Sequence, residues 1–194
     1  MLAAGIVGAP APRRSRGGPR RAETEQANSA DGTVRLSCNL YSFNDQLMSG
    51  EMSLREVIDY CAELGFAAVD PTGYYFGTYP VVPSDGYTHA IKRYAFERGL
   101  DISGTGVRND FTQPDEEART ADVEHVIDWL PFASKLGAPV LRVFAGSELE
   151  GETDRETATG WLVRALRTCA EHGGDHGVMI ALQNHAEFLH TAEE

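Results

Sequence analysis

Four glycines divide most of this sequence into units of similar length. Gly65, Gly99, Gly137 and Gly177 follow one another at intervals of 34, 38 and 40 residues. Each comes after a stretch with helical spacing of apolar residues and directly before an apolar run. Glycine commonly ends helices because it adopts the left-handed backbone conformation without steric cost. A strand–loop–helix–glycine unit repeated in this way predicts an α/β protein with a parallel sheet.

Apolar runs predict five strands, at residues 34–43, 66–70, 100–107, 139–144 and 178–182. The third run contains Gly104 and Gly106, which weaken a strand, so its ends are not sharply defined. The fifth run has no polar alternation, a pattern typical of a strand buried on both faces. It ends in Gln183, Asn184 and His185. Because strand side chains alternate, Gln183 and His185 share one face and Asn184 takes the other.

Amphipathic stretches between the strands predict four helices. A capping box at Ser53 and Glu56 begins the first helix, and the second begins near Ser84. The third begins at about Thr120. It contains Pro131, which lacks a backbone donor and therefore predicts a kink or a break into two helices.

The fourth predicted helix precedes the last strand. Thr153 and Glu156 have the spacing of a capping box and predict its start. Gly173, Gly174 and Gly177 predict its end. The apolar residues between these positions recur at helical spacing, which predicts one buried face.

Two architectures have this alternation of strands and helices. A doubly wound sheet commonly carries a glycine-rich phosphate loop after its first strand, but residues 41–44 are Tyr-Ser-Phe-Asn. In a (β/α)8 barrel, the active site lies where the strands end. Polar and aromatic side chains follow the predicted strands at Tyr41, Asp70, Tyr74, Tyr75, Arg108, Asn109, Arg142, Gln183 and His185. This arrangement favours the α/β fold class of the (β/α)8 TIM barrel.

Three segments carry a resemblance to a known family. They are LGFAAVDPTGYYF at 64–76, LGAPVLRVFAG at 136–146 and HGVMIALQNH at 176–185. These segments resemble the second, fourth and fifth strands of the xylose-isomerase-like TIM barrel superfamily. That group includes sugar phosphate isomerases and epimerases, hydroxypyruvate isomerases, inosose dehydratases and the endonuclease-IV-like proteins of AP endonuclease family 2. The resemblance covers about residues 35–194 and implies the fold of this superfamily.

The resemblance also implies a divalent metal (Mn, Mg, Co or Zn) at the strand ends, with a sugar or keto-polyol bound to it. At the position of Gln183, many relatives have a glutamate that ligates the metal and acts as a general base. Glutamine offers a neutral oxygen to the metal but cannot accept a proton. His185 is then the predicted catalytic group for proton transfer, and Arg142 is predicted to hold an oxyanion or a carboxylate.

The remaining site residues are predicted to bind substrate: Tyr41, Asp70, Tyr74, Asn109 and Asn184. Structural alternatives stay open for several site residues. Gln183 and Asn184 either bind metal or substrate, or satisfy backbone groups at the strand end. His185 is either catalytic or bonded to a neighbouring loop. Arg142 either holds an anion or pairs with Asp70 or another buried carboxylate.

Three functions are consistent with these residues. The first is that of a sugar phosphate isomerase or epimerase, acting on a sugar or keto-polyol at a divalent-metal site. The second is that of a metal-dependent lyase or dehydratase acting on a keto-sugar. Glutamine at position 183 favours this second function, because an elimination proceeds with one base. The third is a barrel fragment without catalysis.

The barrel is predicted to be incomplete in this chain. Residues 33–194 hold about four and a half β/α units with strands 1–5, whereas a TIM barrel typically needs about 250 residues. Such a half-barrel exposes its first and fifth strands as sheet edges. We therefore expect the chain to be inactive alone, and either to self-associate or to be completed by another chain.

Charge is distributed unevenly along the chain. Residues 1–32 have five arginines against three acidic residues and are rich in proline and glycine, which predicts a disordered leader or a signal-peptide remnant. The total charge of −12 leaves −14 for the remainder, which argues against a nucleic-acid partner. No run approaches the roughly 18 apolar residues of a membrane span. We expect a cytoplasmic protein without a membrane partner, or an exported one if Met1 lies within a longer signal peptide.

Overall fold

The computed structural model describes residues 34–147, 149, 153–184, 188–189 and 191. The predicted leader, residues 1–32, lies outside the described residues. Within them the elements are β1 (Ser37–Asn39), α1 (Asn44–Ser49), α2 (Leu54–Glu63), β2 (Ala68–Asp70), α3 (Asp85–Glu97), β3 (Asp101–Ile102), β4 (Thr105–Gly106), α4 (Glu116–Leu136), β5 (Val140–Phe144), α5 (Arg155–His176) and β6 (Met179–Gln183). Among the described helices, none combines the length and the apolar composition needed to cross a membrane.

All strand pairs are parallel and join strands that follow one another along the chain. β1 pairs with β2 and β2 with β3, while β4 pairs with β5 and β5 with β6. The spatial order therefore never reverses, unlike that of a doubly wound sheet, which reverses at a switch point. This order confirms a parallel α/β fold of the barrel type, present as a partial TIM barrel.

The third predicted strand, residues 100–107, is divided into β3 and β4. β3 pairs with β2 on one side and β4 with β5 on the other. Between them lies Gly104, where a Cβ atom would come within 3.3 Å of Asp70 Oδ2 and 3.4 Å of the Val140 carbonyl oxygen. One barrel strand is thus present as two short strands, each belonging to a different three-stranded sheet.

The first predicted strand is much shorter than residues 34–43. β1 covers only three residues, because the Asn39 side chain accepts a hydrogen bond from the Tyr41 amide at 2.9 Å. This bond caps a 3-10 helix, Leu40–Phe43, that replaces the rest of the strand. Asparagine side chains commonly redirect the backbone in this way.

The glycine pattern correctly predicts where helices end. Gly65, Gly99, Gly137 and Gly177 all have left-handed φ angles, of 81°, 75°, 86° and 66°. Gly137 and Gly177 directly follow the last residues of α4 and α5. Residues with a side chain are strained in this conformation, which is why glycine is favoured at these positions. The left-handed φ angles confirm the helix ends that the glycine pattern predicts.

Two helices begin at other residues than predicted. α4 begins at residue 116 rather than 120, because the Asp115 side chain accepts a hydrogen bond from the Glu117 amide at 3.0 Å. α5 is capped by Asp154 rather than by Thr153, and its carboxylate accepts from the Thr157 amide at 2.9 Å. Carboxylates are effective caps because they also face the positive end of the helix dipole.

Helix α4 continues through Pro131 as one helix, so the predicted break into two helices does not occur. Trp129, Leu130, Phe132 and Ala133 beside the proline are at most 1% exposed. Burying such side chains stabilises the helix by several kcal/mol, enough to offset the roughly 3 kcal/mol that a proline costs in a helix interior.

Helix α5 continues through Gly173 and Gly174, which the sequence predicts as its end, and stops only before Gly177. A Cβ atom at Gly173 would lie 2.5 Å from the Val178 carbonyl oxygen. At Gly174, a Cβ atom would have no described heavy atom within 4 Å. The close approach of the backbone leading into β6, rather than a helix end, therefore requires glycine at position 173.

Alanine at these two positions should have opposite effects on stability. Gly174→Ala should raise the free energy of unfolding by about 0.5–1 kcal/mol, since alanine is the better helix former. Gly173→Ala should lower it by about 1–2 kcal/mol, because the new methyl group displaces the Val178 backbone. Urea denaturation of both variants measures the difference. Equal effects at the two positions would contradict the close approach.

The last strand is not buried on both faces, although its apolar run predicts this. Met179 is 67% exposed and Leu182 is 39% exposed. Among the described strands, β6 pairs only with β5 and β1 pairs only with β2. Both are edge strands, as predicted for the two ends of an incomplete barrel, and β6 therefore lacks a neighbour that would cover these side chains.

Candidate functional site

A cavity of about 570 Å³ lies where the strands end. Its walls come from the segments after β1, β2 and β4 and from residues of β5 and β6. The lining residues are Asn39, Tyr41, Ser42, Tyr74, Arg108, Asn109, Arg142, Phe144 and Gln183. Residues from all five predicted strand units thus meet at one end of the sheets, where a barrel has its active site.

The Arg142 guanidinium on β5 joins three strands below this cavity. Its Nε and Nη2 donate to the two carboxylate oxygens of Asp70 at 3.1 and 2.9 Å, and its Nη1 donates to Gln183 Oε1 at 2.8 Å. The side chains of Arg142 and Asp70 are 19% and 15% exposed, so the pair is mostly removed from water. A forked contact of this kind is among the strongest polar interactions in proteins.

The structural alternative for Arg142, an ion pair with Asp70, is therefore present in the fold. Asp70 directs both carboxylate oxygens at the guanidinium, and its predicted binding of substrate stays a prediction. Gly106 makes room for the pair, since a Cβ atom there would lie 3.3 Å from Arg142 Nη2. Arg142 also lines the cavity, and its contact with a substrate oxygen stays a prediction.

The described residues do not by themselves form a divalent-metal site. Within that part of the chain, no group of three or more His, Cys, Asp or Glu side chains is placed to hold an ion. Gln183, the predicted metal ligand, accepts a hydrogen bond from the Arg142 guanidinium, whose charge opposes a neighbouring cation. Every buried side-chain nitrogen and oxygen in the same residues already has a hydrogen-bond partner.

Asn109 extends the sheet beyond β4. Its Nδ2 donates to the Phe144 carbonyl oxygen at 2.7 Å, and its Oδ1 accepts from the Phe144 amide at 2.9 Å. The side-chain amide thus takes the place of the backbone groups with which a neighbouring strand would pair the Phe144 amide and carbonyl. Asn109 lines the cavity, and its amide group also holds the chain after β4 against β5.

Two tyrosines predicted to bind substrate line the cavity. Tyr41 is 58% exposed. Tyr74 packs edge-on against Tyr75, with the ring centroids 4.6 Å apart. The Arg108 guanidinium lies over the Tyr74 ring, 4.7 Å from its centroid. Ligand cavities commonly combine such aromatic surfaces with a few polar groups.

Asn184 and His185 follow Gln183 at the end of β6. Asn184 lines a different cavity of about 410 Å³ beside α5, together with Leu182 and Phe188. Side-chain alternation explains this placement, because Gln183 faces the first cavity and Asn184 faces the opposite side. Asn184 thus does not line the cavity at the strand ends, and its binding of substrate stays a prediction. His185, the predicted catalytic residue, lies outside the described residues.

A hydrogen-bonded chain behind Arg108 is not apparent in the sequence. The Arg108 amide donates to the Tyr79 hydroxyl at 3.1 Å, and this hydroxyl lies 3.2 Å from His125 Nε2. The Tyr79 hydroxyl can then donate to His125, which accepts as the tautomer protonated on Nδ1. Through Tyr79, helix α4 fixes the backbone of a cavity residue.

Burial shifts the pKa values of three groups in this region. It lowers the pKa of His125 below its ordinary value, against the opposing charges of Asp122 and Asp128. It raises the pKa of Tyr79. It also raises the pKa of Asp122, although its Oδ2 accepts a hydrogen bond from the Asp110 amide at 2.7 Å. In each case the main cause is desolvation, which disfavours the charged form.

His125 should make the fold less stable at acidic pH. Because its pKa is lowered in the folded state, the unfolded chain binds more protons at this residue between the lowered pKa and the ordinary value of 6.5. Its contribution to stability is complete above that value and is lost as the pH falls toward the lowered pKa. Between about pH 7.5 and about pH 5.5, His125→Gln should lose less stability than the wild type in urea denaturation.

His89→Gln, at an exposed position on α3, is the matched control for this experiment. Asp122 has the opposite effect on the pH dependence of stability, since its raised pKa lets the folded protein bind an extra proton. This effect is present in the wild type and in both variants. An equal reduction of pH dependence in both variants would contradict the role assigned to His125.

Four cavity residues have no role in the predictions from sequence: Asn39, Ser42, Arg108 and Phe144. For Arg108 a signal was available, because it stands among the polar residues that follow predicted strands. His125 and Trp129 carry no such signal, since they lie within helix α4. Only the folded chain brings them against the segment after β2.

Three solved structures show the extent of the structural likeness. D-psicose 3-epimerase from Clostridium cellulolyticum H10, solved with D-tagatose, has 18% identity and a TM-score of 0.66, with 81% of this chain and 54% of that one covered. The probable 3-DHS dehydratase AsbF from Bacillus anthracis has 16% identity and a TM-score of 0.62, with 79% and 53% covered. A sugar phosphate isomerase/epimerase from Parabacteroides distasonis ATCC 8503 has 15% identity and a TM-score of 0.60, with 84% and 55% covered.

The chain spans about half the length of these structures, and at such identities the likeness shows the fold alone. No curated protein matches this sequence. The family described as xylose isomerase-like TIM barrel matches residues 58–194. This range contains β2 to β6 and every cavity residue beyond the first strand unit. Because the match covers well over half of the sequence, the chain belongs to the xylose isomerase-like TIM barrel family.

Proposed function

We propose that the chain forms the substrate pocket of an isomerase or epimerase that acts on a sugar or a small keto-polyol. The observation that carries this proposal is the cavity of about 570 Å³ at the strand ends, lined by hydroxyl, amide and guanidinium groups. A monosaccharide presents several hydroxyl groups and a carbonyl, which such groups bind as donors and acceptors. The likeness to structures named as epimerase or isomerase supports this class of substrate.

Tyr41 and Tyr74 are the proposed aromatic contacts of the substrate. Their rings match the apolar C–H face of a sugar, and their hydroxyl groups match its O–H groups. Arg142 is proposed to orient a substrate oxygen while it stays bonded to Asp70 and Gln183. Because the ion pair holds the guanidinium in place, this donor is positioned before the substrate binds.

Isomerisation and epimerisation need a group that removes a proton next to the carbonyl. Gln183 cannot accept a proton, and Asp70 is bonded to Arg142. His185 is the proposed base, on the ground that strand alternation directs it to the same face as Gln183. A divalent metal stays a prediction from the family resemblance, because the described residues supply no metal site.

Elimination is the second candidate. A lyase or dehydratase acting on a keto-sugar removes a proton with one base, whereas proton transfer between two carbons by a pair of carboxylates needs two. Glutamine rather than a carboxylate at position 183 favours this alternative. The likeness to a structure named as a probable 3-DHS dehydratase supports it as well.

Binding of D-tagatose and D-fructose, measured by calorimetry and saturation-transfer NMR, tests the proposed pocket. Tyr74→Ala should weaken binding about tenfold, because it removes an aromatic surface from contact with the sugar. Tyr60→Ala, at a 43% exposed position on α2, is the matched control and should bind as the wild type does. A chain that binds no ketose, or that binds equally well as Tyr74→Ala, would refute the pocket.

Product analysis of the same samples separates the two reactions. Formation of an epimer or an aldose from the ketose supports the isomerase proposal, whereas loss of water supports the dehydratase. Binding without conversion supports the third function, a barrel fragment without catalysis. Sedimentation of these samples measures the predicted self-association.

A further inference from the structure

The cavity differs in charge from the protein as a whole. Its described lining carries two arginines, Arg108 and Arg142, and no carboxylate. The whole chain has a net charge of −12. A cavity lined by charges of one sign concentrates ligands of the opposite sign, so the cavity attracts anions that the acidic surface repels.

Arg142 contributes little to this net charge. Both carboxylate oxygens of Asp70 lie within 3.1 Å of its guanidinium, and the two side chains are largely buried together. The pair is close to neutral when it is viewed from the cavity. The positive charge that is left among the described lining residues is therefore that of Arg108.

The Arg108 side chain is exposed and forms no ion pair with any described carboxylate. Its guanidinium lies over the Tyr74 ring, 4.7 Å from the centroid. A guanidinium held on an aromatic face keeps the N–H groups at its edge available to other partners. Arg108 is thus oriented by Tyr74 without using its hydrogen-bond donors on that ring.

Two acidic residues that follow Arg108 in the sequence, Asp110 and Asp122, direct their carboxylates at backbone amides of other residues. The Asp110 carboxylate accepts from the Thr112 amide at 2.9 Å, and Asp122 accepts from the Asp110 amide at 2.7 Å. The backbone of Arg108 is itself held by the Tyr79 hydroxyl at 3.1 Å. Arg108 is therefore fixed at its backbone, while the nearby carboxylates are engaged elsewhere.

We infer that Arg108 binds an anionic group of the substrate, a phosphate or a carboxylate carried by the sugar or keto-polyol. This inference rests on the proposed function and narrows its substrate class. A guanidinium offers two parallel N–H donors that match two oxygens of either group. An uncharged sugar leaves this charge without a counter-ion in the cavity, so neutral sugars should bind less tightly.

Calorimetric titrations with D-fructose, D-fructose 6-phosphate and D-gluconate test this inference on the full chain. In the wild type, the phosphate or the carboxylate compound should bind about tenfold more tightly than D-fructose. Arg108→Gln should abolish this preference, so that the three compounds bind to the variant with affinities within about twofold of one another. Inorganic phosphate alone should bind to the wild type and compete with the anionic compound, but not bind to Arg108→Gln.

Arg55→Gln is the matched control. Arg55 is also an exposed arginine over a tyrosine ring, 4.9 Å from the Tyr94 centroid, but it lies outside the cavity lining. This variant should keep the preference for anions. Circular dichroism and urea denaturation of both variants check that they remain folded.

The outcomes separate this inference from the proposed function. A preference for D-fructose 6-phosphate supports a phosphorylated substrate, and a preference for D-gluconate supports a sugar acid. Equal affinities for all three compounds, or a preference that survives Arg108→Gln, would overturn the inference and leave the proposed function in place. Phosphate binding through Arg108 without binding of any sugar or sugar acid would overturn the proposed function, and with it the inference that the bound anion belongs to a sugar. Failure of every compound to bind would overturn both.

Discussion

Arg142→Met should lower the free energy of unfolding by about 3 kcal/mol. The variant removes the guanidinium and leaves Asp70, whose side chain is 15% exposed, as a mostly buried carboxylate without its partner. An unpaired charge in such a place is strongly destabilising, because it has lost its hydration without gaining a counter-charge. Gln183 Oε1 loses its donor at the same time. Urea denaturation with an unchanged m value measures the effect.

Asp70→Asn shows how much of the stability loss in Arg142→Met comes from the unpaired charge and how much from the lost contacts. In the Arg142→Met background, this second change should recover a large part of the stability, since a neutral amide is easier to bury than a carboxylate. No recovery would contradict the explanation by an unpaired charge.

Arg98→Met is the matched control at another ion pair. Arg98 pairs with Asp59 where the two side chains are 28% and 40% exposed. Water stabilises the remaining carboxylate there, so the loss should be at most about 1 kcal/mol. Equal losses for Arg98→Met and Arg142→Met would show that burial does not set the strength of the Arg142 pair.

Trp129→Ala should lower the free energy of unfolding by about 3–5 kcal/mol. Trp129 is fully buried on α4, and its Nε1 donates to the Pro80 carbonyl oxygen at 3.1 Å. Its ring lies 5.4 Å from that of Tyr79. The indole thus supports the segment after β2 that carries Tyr74. Its removal leaves a void below this segment and an acceptor without its donor.

Trp161→Ala is the matched control, because Trp161 is the other of the two tryptophans in the chain. Trp161 is half-buried on α5, and the Arg119 guanidinium lies 3.8 Å from the centroid of its ring. Trp161→Ala should lower the free energy of unfolding by about 1 kcal/mol.

Trp129→Phe fills part of the void that Trp129→Ala leaves and keeps the protein folded for binding experiments. It should weaken sugar binding together with stability. Unchanged sugar affinity in this variant would contradict the link between Trp129 and the cavity.

The order of strands and helices could be predicted because its signals are local. The capping box at Ser53 and Glu56 is present as predicted, with both hydrogen bonds formed. Gly137 and Gly177 end their helices through their own backbone conformation. Each of these signals depends on residues a few positions apart, so the chain does not need its tertiary structure to express them.

Local signals fail where packing opposes them. Pro131 favours a break in the helix, but the burial of Trp129 and Phe132 beside it keeps α4 continuous. Gly173 favours a helix end, yet α5 continues through it, and the Val178 carbonyl oxygen leaves no room for a side chain at this position. In both cases the outcome depends on packing in the folded chain, which the local sequence pattern does not reveal.

The residues at the ends of the strands could be identified from the sequence, because repeated units of one strand and one helix place all strand ends on the same side. Tyr41, Tyr74, Asn109, Arg142 and Gln183 meet in one cavity for this reason. The hydrogen bonds of these groups, in contrast, depend on contacts that form when the chain folds. Asp70 and Gln183 are 72 and 41 residues from Arg142, and no local pattern pairs them with it. A largely buried guanidinium needs acceptors for its N–H groups, and only the folded sheet brings these acceptors within reach.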